Sequence, residues 1–334
     1  MKNVNILGVD VSKDHLDICL LQDGKVTCQV KIKNTLKEIS RNVKLLSRQG
    51  VEMGSAVFCM EHTGVYNNIL LGYIAKNGYQ AWVESARQII LSGGMTRGKS
   101  DKVDAMRIAL YAHRNLERAK FWKPKRSNLE KLAALLKSRK RMVKVKNQLA
   151  VALKEDKKFV PKEVAAINER VNRGPLKALI AAIDKVDLEI KNLIKADEIF
   201  SHQSALIKSV PGVGEIIAAT TIVKTNEFID FTDPRRYACQ AGVAPFDHLS
   251  GSSIRGRSKV SHMADKTLKT LLHLAAMAAI RKKGELQDYY LRKVNEVKNK
   301  MCVLNAIRNK IVQRIFAVIN RGTPYQIFNN FDLV

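Results

Sequence analysis

Three observations predict a mixed-sheet α/β N-terminal domain joined by a helical coiled-coil linker to a mainly α C-terminal domain. Strand and helix signals alternate over residues 1–115. An apolar seam in 3-4-3-4-3 spacing runs through Leu176, Leu179, Ile183, Val186, Ile190 and Leu193. After Phe200 the chain turns to short helical runs, glycines and a Ser/Gly/Arg-rich stretch. The boundaries that follow are 1–122, 123–200 and 201–334.

The elements follow in order. Val4–Val9 is a short apolar run, and Leu16, Ile18 and Leu20 alternate as a second strand. Asp23-Gly24 is a turn pair leading into Val26, Cys28, Val30 and Ile32, a third alternating strand. Short turns between three strands imply an antiparallel meander. A helix at Leu36–Leu46, a strand at Ala56–Met60, a helix at Val65–Lys76, a strand at Tyr79–Val83 and a helix from about Ser100 complete the domain. That order is the one found in ribonuclease-H-like α/β domains.

The linker begins with a helix at Leu129–Leu153. It carries Leu132, Leu136, Val143 and Leu153 on one side, with Arg139 and Lys146 interrupting, and Lys137, Lys140, Arg141 and Lys144 on another face. Pro161 and Gly174-Pro175 punctuate the connection to the Leu176–Leu193 seam, so a long antiparallel helical hairpin is expected. In the last third, residues 247–263 read as a loop and about 264–321 as helices.

Charge narrows the function. Fifty-eight Lys and Arg against 31 Asp and Glu give a formal net charge of +27. Such an excess seeks polyanions and makes their binding salt-dependent. No stretch approaches the roughly 18 consecutive apolar residues of a spanning helix, and the N-terminus lacks the pattern of a signal peptide. Cys19, Cys28, Cys59, Cys239 and Cys302 are odd in number and scattered without a C-x-x-C pair, which predicts reduced thiols in a cytoplasm.

Against that basic background, four acidic residues have a suggestive placement. Asp10 closes the first strand, Glu61 follows the fourth, and Asp101 and Asp104 share a face at the head of a helix. Hard carboxylate oxygens suit Mg²⁺ or Mn²⁺, and two such ions about 3.5–4 Å apart can serve both oxygens of a phosphoryl transfer. Taken singly, each residue has a structural explanation: a strand end, a turn, a helix cap. Together they favour a metal site. An actin-like ATPase also begins with a strand and Asp, as in GVDVSKDHLD, but no later glycine-rich adenosine loop follows.

Two glycine-rich segments lie further along. Gly212 and Gly214 in VPGVG enter a helical run, where backbone N–H groups can approach a phosphate. AGVAPF leads to LSGSS and then Arg255, Arg257 and Lys259. A serine beside glycine in a basic loop can attack a phosphodiester while the cations neutralise the transition state. From the residues alone, the choice among Ser250, Ser252 and Ser253 stays open, and an ordinary turn is the simpler reading.

The ordered set GVDVSK, MEHTGVY, SDKVDA, SVPGVGEIIA, QAGVAPF and LSGSSIRGRSKVS, running from about residue 5 to 320, resembles the DEDD-type insertion-sequence transposases of the IS one-ten family, to which the Piv-type DNA invertases are related. The resemblance implies a RuvC-like N-terminal domain whose Asp10, Glu61, Asp101 and Asp104 hold Mg²⁺ (or Mn²⁺). It implies a C-terminal transposase domain whose nucleophile is Ser250. It also implies donor and target DNA as substrates, a structured guide (bridge) RNA, a homo-oligomer between dimer and tetramer, and a bacterial cytoplasm with action at the nucleoid. Two other functions remain to compare: a RuvC-type nuclease or junction resolvase that uses water, and a non-enzymatic nucleic-acid-binding protein.

Overall fold

The computed structural model describes residues 4–92, 101–250, 254–261 and 263–326. The chain divides into two compact units, Met1–Pro124 and Lys125–Val334.

In the first unit, β1 (Ile6–Val11), β2 (His15–Gln22) and β3 (Lys25–Lys33) form the expected antiparallel meander, with Asp23 and Gly24 at positive φ in the tight turn. β4 (Val57–Glu61) and β5 (Gln80–Glu84) add in parallel on the other side of β1, giving the order β3-β2-β1-β4-β5. This is the mixed sheet of a ribonuclease-H-like domain. Helices α1 (Leu36–Arg48), α2 (Asn68–Lys76), α3 (Ala86–Ser92) and α4 (Asp101–Arg114) accompany it.

The two-residue period of the strands separates two cores. Leu7, Val9, Leu16, Ile18, Phe58 and Met60 meet Ile39 and Val43 of α1 and Leu70 and Ile74 of α2. Ile6, Cys19, Leu21, Val57, Cys59 and Trp82 face the opposite way, against Ala105, Ile108, Ala109 and Ala112 of α4. Gly8 lies on this second face. A Cβ there would stand 2.3 Å from the Ala109 backbone N and 2.4 Å from the Ala105 backbone O. Only glycine lets α4 sit this low on β1.

The second unit opens with α5 (Ser127–Phe159) and α6 (Lys162–Ala196), packed as an antiparallel hairpin. Ile183 and Ile190 of the seam are buried, and Arg139 forms a two-pronged ion pair with Asp187, the second prong at 3.1 Å. The apparent interruption of the seam is thus a cross-hairpin charge pair. The sequence reading places a break at Gly174-Pro175, but α6 runs through it. Pro175 removes one helical hydrogen bond, to the Val171 carbonyl. Both residues are exposed, so water can satisfy that carbonyl while the buried seam beyond holds the helix.

Helices α7 (Glu198–Ser209), α8 (Glu215–Thr225), α9 (Pro234–Gln240), α10 (Lys266–Ala279), α11 (Glu285–Asn295) and α12 (Lys300–Arg321) build the rest. Their core includes Phe200, Ile222, Tyr237, Leu272, Ile307, Ile311 and Phe316. The stretch read as a loop contains an antiparallel pair, β6 (Pro245–Ser250) and β7 (Ile254–Val260). Its glycines, serines and charges are poor strand formers, and the strands exist because they pair with each other.

Candidate carboxylate site

The register of the sheet builds a row that no single strand reveals. Asp10 of β1 stands opposite Asp17 of β2, and Asp17 stands opposite Lys31 of β3. On the other side Glu61 ends β4, one residue beyond the last β1–β4 pair, and is paired with Glu84 at the end of β5. The two-residue period carries these residues to the α4 side, where Asp101 and Asp104 occupy the first turn of that helix. The four predicted carboxylates therefore share one region, supplied by two strands and a helix.

Their fields are felt mutually. Burial pushes the Asp10 carboxyl up, and Asp104, Asp101 and Asp17 push it further, with Lys31 opposing. Burial also raises Glu61, aided by Asp10 and Asp104. The Cys59 thiol, beneath the row, is pushed up to about 12 by burial and by Glu84 and Glu61. Like charges are gathered here at a cost, which a cation would remove.

Nearby groups fix the ends of the row. Asn67 donates to the Glu61 carbonyl at 2.7 Å, and the Thr63 N–H donates to the same oxygen at 3.0 Å. Tyr111 donates its hydroxyl to Glu84 at 3.1 Å. Asp101 accepts from Lys31 at 3.0 Å, and Asp104 accepts from Arg107 at 2.9 Å. Among the described residues, no three His, Cys, Asp or Glu side chains already converge as a preformed cage for a metal ion. The donor set itself, hard oxygens in mutual repulsion, fits Mg²⁺ or Mn²⁺.

Sequence reasoning missed Asp17, Glu84 and Lys31. Asp17 is only 5% exposed. A signal was present for it: counting outward from the turn after Val11, a tight hairpin pairs Asp10 with Asp17.

The other predicted residues lie in the second unit. Ser250 is the last residue of β6, paired with Ile254, the first of β7. Ser252 and Ser253 lie outside the described residues. Arg255, Arg257 and Lys259 take alternate positions on β7. Gly212 has φ +84, and a Cβ there would stand 2.2 Å from the Ala275 carbonyl oxygen, so close packing on α10 demands this glycine. Gly214 is the N-cap of α8, with open space where a Cβ would be. Lys137, Lys140, Arg141 and Lys144 are exposed on α5. Three of them, Lys137, Lys140 and Lys144, line a groove of about 1260 Å³ between α5, α8 and α10, floored by Leu136, Val143, Ile216, Val223 and Leu271.

Comparison with known proteins agrees in both units. Residues 7–155 match a family described as "Transposase" (DEDD_Tnp_IS110), and residues 204–291 match "Transposase IS116/IS110/IS902 family". The chain is 25% identical to a pilin gene-inverting protein of Moraxella bovis, over 96% of this chain and 97% of that one. It is 26% identical to the transposase for insertion sequence element IS1111A of Coxiella burnetii, over 98% of this chain and 92% of that one. Among solved structures, Thermus thermophilus RuvC in complex with a Holliday junction substrate aligns with 36% of this chain and 99% of its own, at 15% identity and a TM-score of 0.27. Among the described residues, no helix is long and apolar enough to cross a membrane.

Proposed function

The chain belongs to the IS116/IS110/IS902 family of transposases, and from that premise we propose that it cuts and rejoins DNA through a covalent phosphoserine intermediate. The observation that supports metal-dependent cleavage is the placement of Asp10 and Glu61 with Asp101 and Asp104 on one side of the sheet, and the choice of serine over water rests on the position of Ser250 in the LSGSS motif. These four residues would hold Mg²⁺ (or Mn²⁺). When bound, the metal would supply Lewis-acid charge neutralisation to the phosphoryl transfer.

The chain's own residues supply the rest. The Ser250 hydroxyl oxygen attacks the scissile phosphorus as the bond from phosphorus to the 3′ oxygen breaks. The serine proton ends on that oxygen, leaving a 3′-hydroxyl and a 5′-phosphate esterified to Ser250. Attack by a 3′-hydroxyl of a second strand reverses the step and joins the new pair. No bond energy is lost between the two steps, which is why a serine ester suits strand exchange better than hydrolysis. Arg255, Arg257 and Lys259 offset the charge that builds on the phosphate. Exchange between two duplexes uses several nucleophiles, so the working unit is a homo-oligomer, a dimer to a tetramer.

The net charge of +27 supports DNA binding and equally supports a structured guide RNA. The groove lined by Lys137, Lys140 and Lys144, the neighbouring Arg141, and the open backbone at Gly214 are the surfaces proposed to meet phosphate backbones.

The test compares Ser250→Ala with Asp10→Asn on DNA carrying the element's ends. Loss of nicking and of exchange in both variants supports the serine route. Continued nicking by Ser250→Ala would replace it with a water-using, RuvC-type nuclease. Undiminished DNA recombination by Asp10→Asn would remove the carboxylates from the chemistry.

A further inference from the structure

The row ends in a cation. Lys31 lies on β3, at the edge of the sheet, and its Nζ stands 3.2 Å from Asp17 Oδ2 and 3.0 Å from Asp101 Oδ2. One ammonium thus bridges the sheet to the first turn of α4. Asp17 is nearly inaccessible to water and anchors the ammonium from below, whereas the Asp101 side chain is 65% exposed and meets it from above. The second carboxylate of α4 is also engaged by a protein cation, since Asp104 accepts from Arg107.

These contacts offset part of the repulsion among the carboxylates, at Asp17, Asp101 and Asp104. A lysine suits this role. Its charge is compact and rides on a flexible four-carbon stem, so it can leave as easily as it docks. Half of its side chain is already in solvent.

We propose that Lys31 is a built-in competitor for the metal: held by Asp17, its ammonium occupies the Asp101 carboxylate and must release it when the divalent ion enters among Asp10, Glu61, Asp101 and Asp104. The inference rests on the metal-holding reading of the carboxylate row. Lys31 is here a positioning residue. It sets where Asp101 points and how tightly the site takes up metal, and it needs no contact with DNA.

The experiment measures Mn²⁺ binding to the full-length protein, free of nucleic acid, by electron paramagnetic resonance. Lys31→Met should tighten the Kd roughly tenfold, because one opposing charge a few ångströms away is removed. Lys31→Arg keeps the charge and should bind no more tightly than the parent. On the unaltered protein, acetylation footprinting should show Lys31 becoming more reactive on addition of Mg²⁺, with the neighbouring Lys33 as reference. This measurement decides the matter if Lys31→Met does not fold. Equal or weaker Mn²⁺ binding by Lys31→Met, or Lys31 reactivity that ignores Mg²⁺, would overturn the proposal and leave the metal site standing. Absence of Mn²⁺ binding in both proteins would overturn the metal reading and this inference with it.

Discussion

Replacing Gly8 by alanine tests how the fold places the carboxylates. A Cβ at this position would lie 2.3 Å from the Ala109 N, 2.4 Å from the Ala105 O and 2.6 Å from the Ala109 Cβ. Ordinary contact needs about 3.4 Å or more, and two of the opposing atoms are backbone, so no side-chain rotation relieves the clash. Helix α4 must rise by about 1 Å. Asp101 and Asp104 ride on that helix, while Asp10 stays on β1 two residues from the substitution. Overpacking of this kind costs about 1–3 kcal/mol. For a unit of this size, that lowers the melting temperature by several degrees, on the order of 5–10 °C. A displacement of about 1 Å in a catalytic constellation costs on the order of a hundredfold in rate. Calorimetry and strand cleavage of element-end DNA are the assays. Gly8→Ala with unchanged melting and full cleavage would refute the close seating of α4 and its part in assembling the site.

Other consequences are equally specific. Asp10→Asn should raise the metal-free melting temperature at neutral pH while abolishing Mn²⁺ binding, because it removes one of the charges that repel. The pH dependence of the metal-free protein follows from the same field. The folded-state pKa values of Asp10 and Glu61 are raised, so the stability these two groups contribute is full below the ordinary carboxylate range and is lost as pH rises through their elevated values. Thermal scans across that window should show the loss, and saturating Mg²⁺ should cancel it. In the second unit, Arg126 donates to Asp197 at 3.1 Å and is paired with Glu227, both acids being buried. Arg126→Met should cost about 1–3 kcal/mol in denaturant unfolding, because both acids lose charge-assisted hydrogen bonds at a site that water still reaches from the half-exposed arginine side. Neutralising Lys137, Lys140 and Lys144 together should weaken nucleic-acid binding and lower the salt-dependence slope by about 2–3, as filter binding at several salt concentrations would show.

Much of the site was legible because its signals are local. Asp10 ends a short apolar run, Glu61 ends another, and Asp101 and Asp104 are three apart on one helix, so each could be placed from local pattern alone. Asp17, Glu84 and Lys31 join them only through strand register, a long-range property that a one-residue slip would reverse. The β6–β7 hairpin was hidden for a related reason: its residues have little strand preference of their own. Pro175 misled in the other direction, since the rule that proline ends a helix ignores a freed carbonyl that is exposed to water. The ion pair of Arg139 with Asp187 spans two helices, so from sequence the arginine reads only as a flaw in a seam.

The central claim is that the carboxylates prepare a phosphate for a serine. It is tested most directly by mass spectrometry of the peptide containing Ser250 after reaction with element-end DNA nicked to trap an intermediate. The account predicts a 5′-phosphonucleotide ester on Ser250, formed only with Mg²⁺ and missing in Asp10→Asn. Cleaved DNA bearing free 5′-phosphates, with Ser250 unmodified, would contradict it.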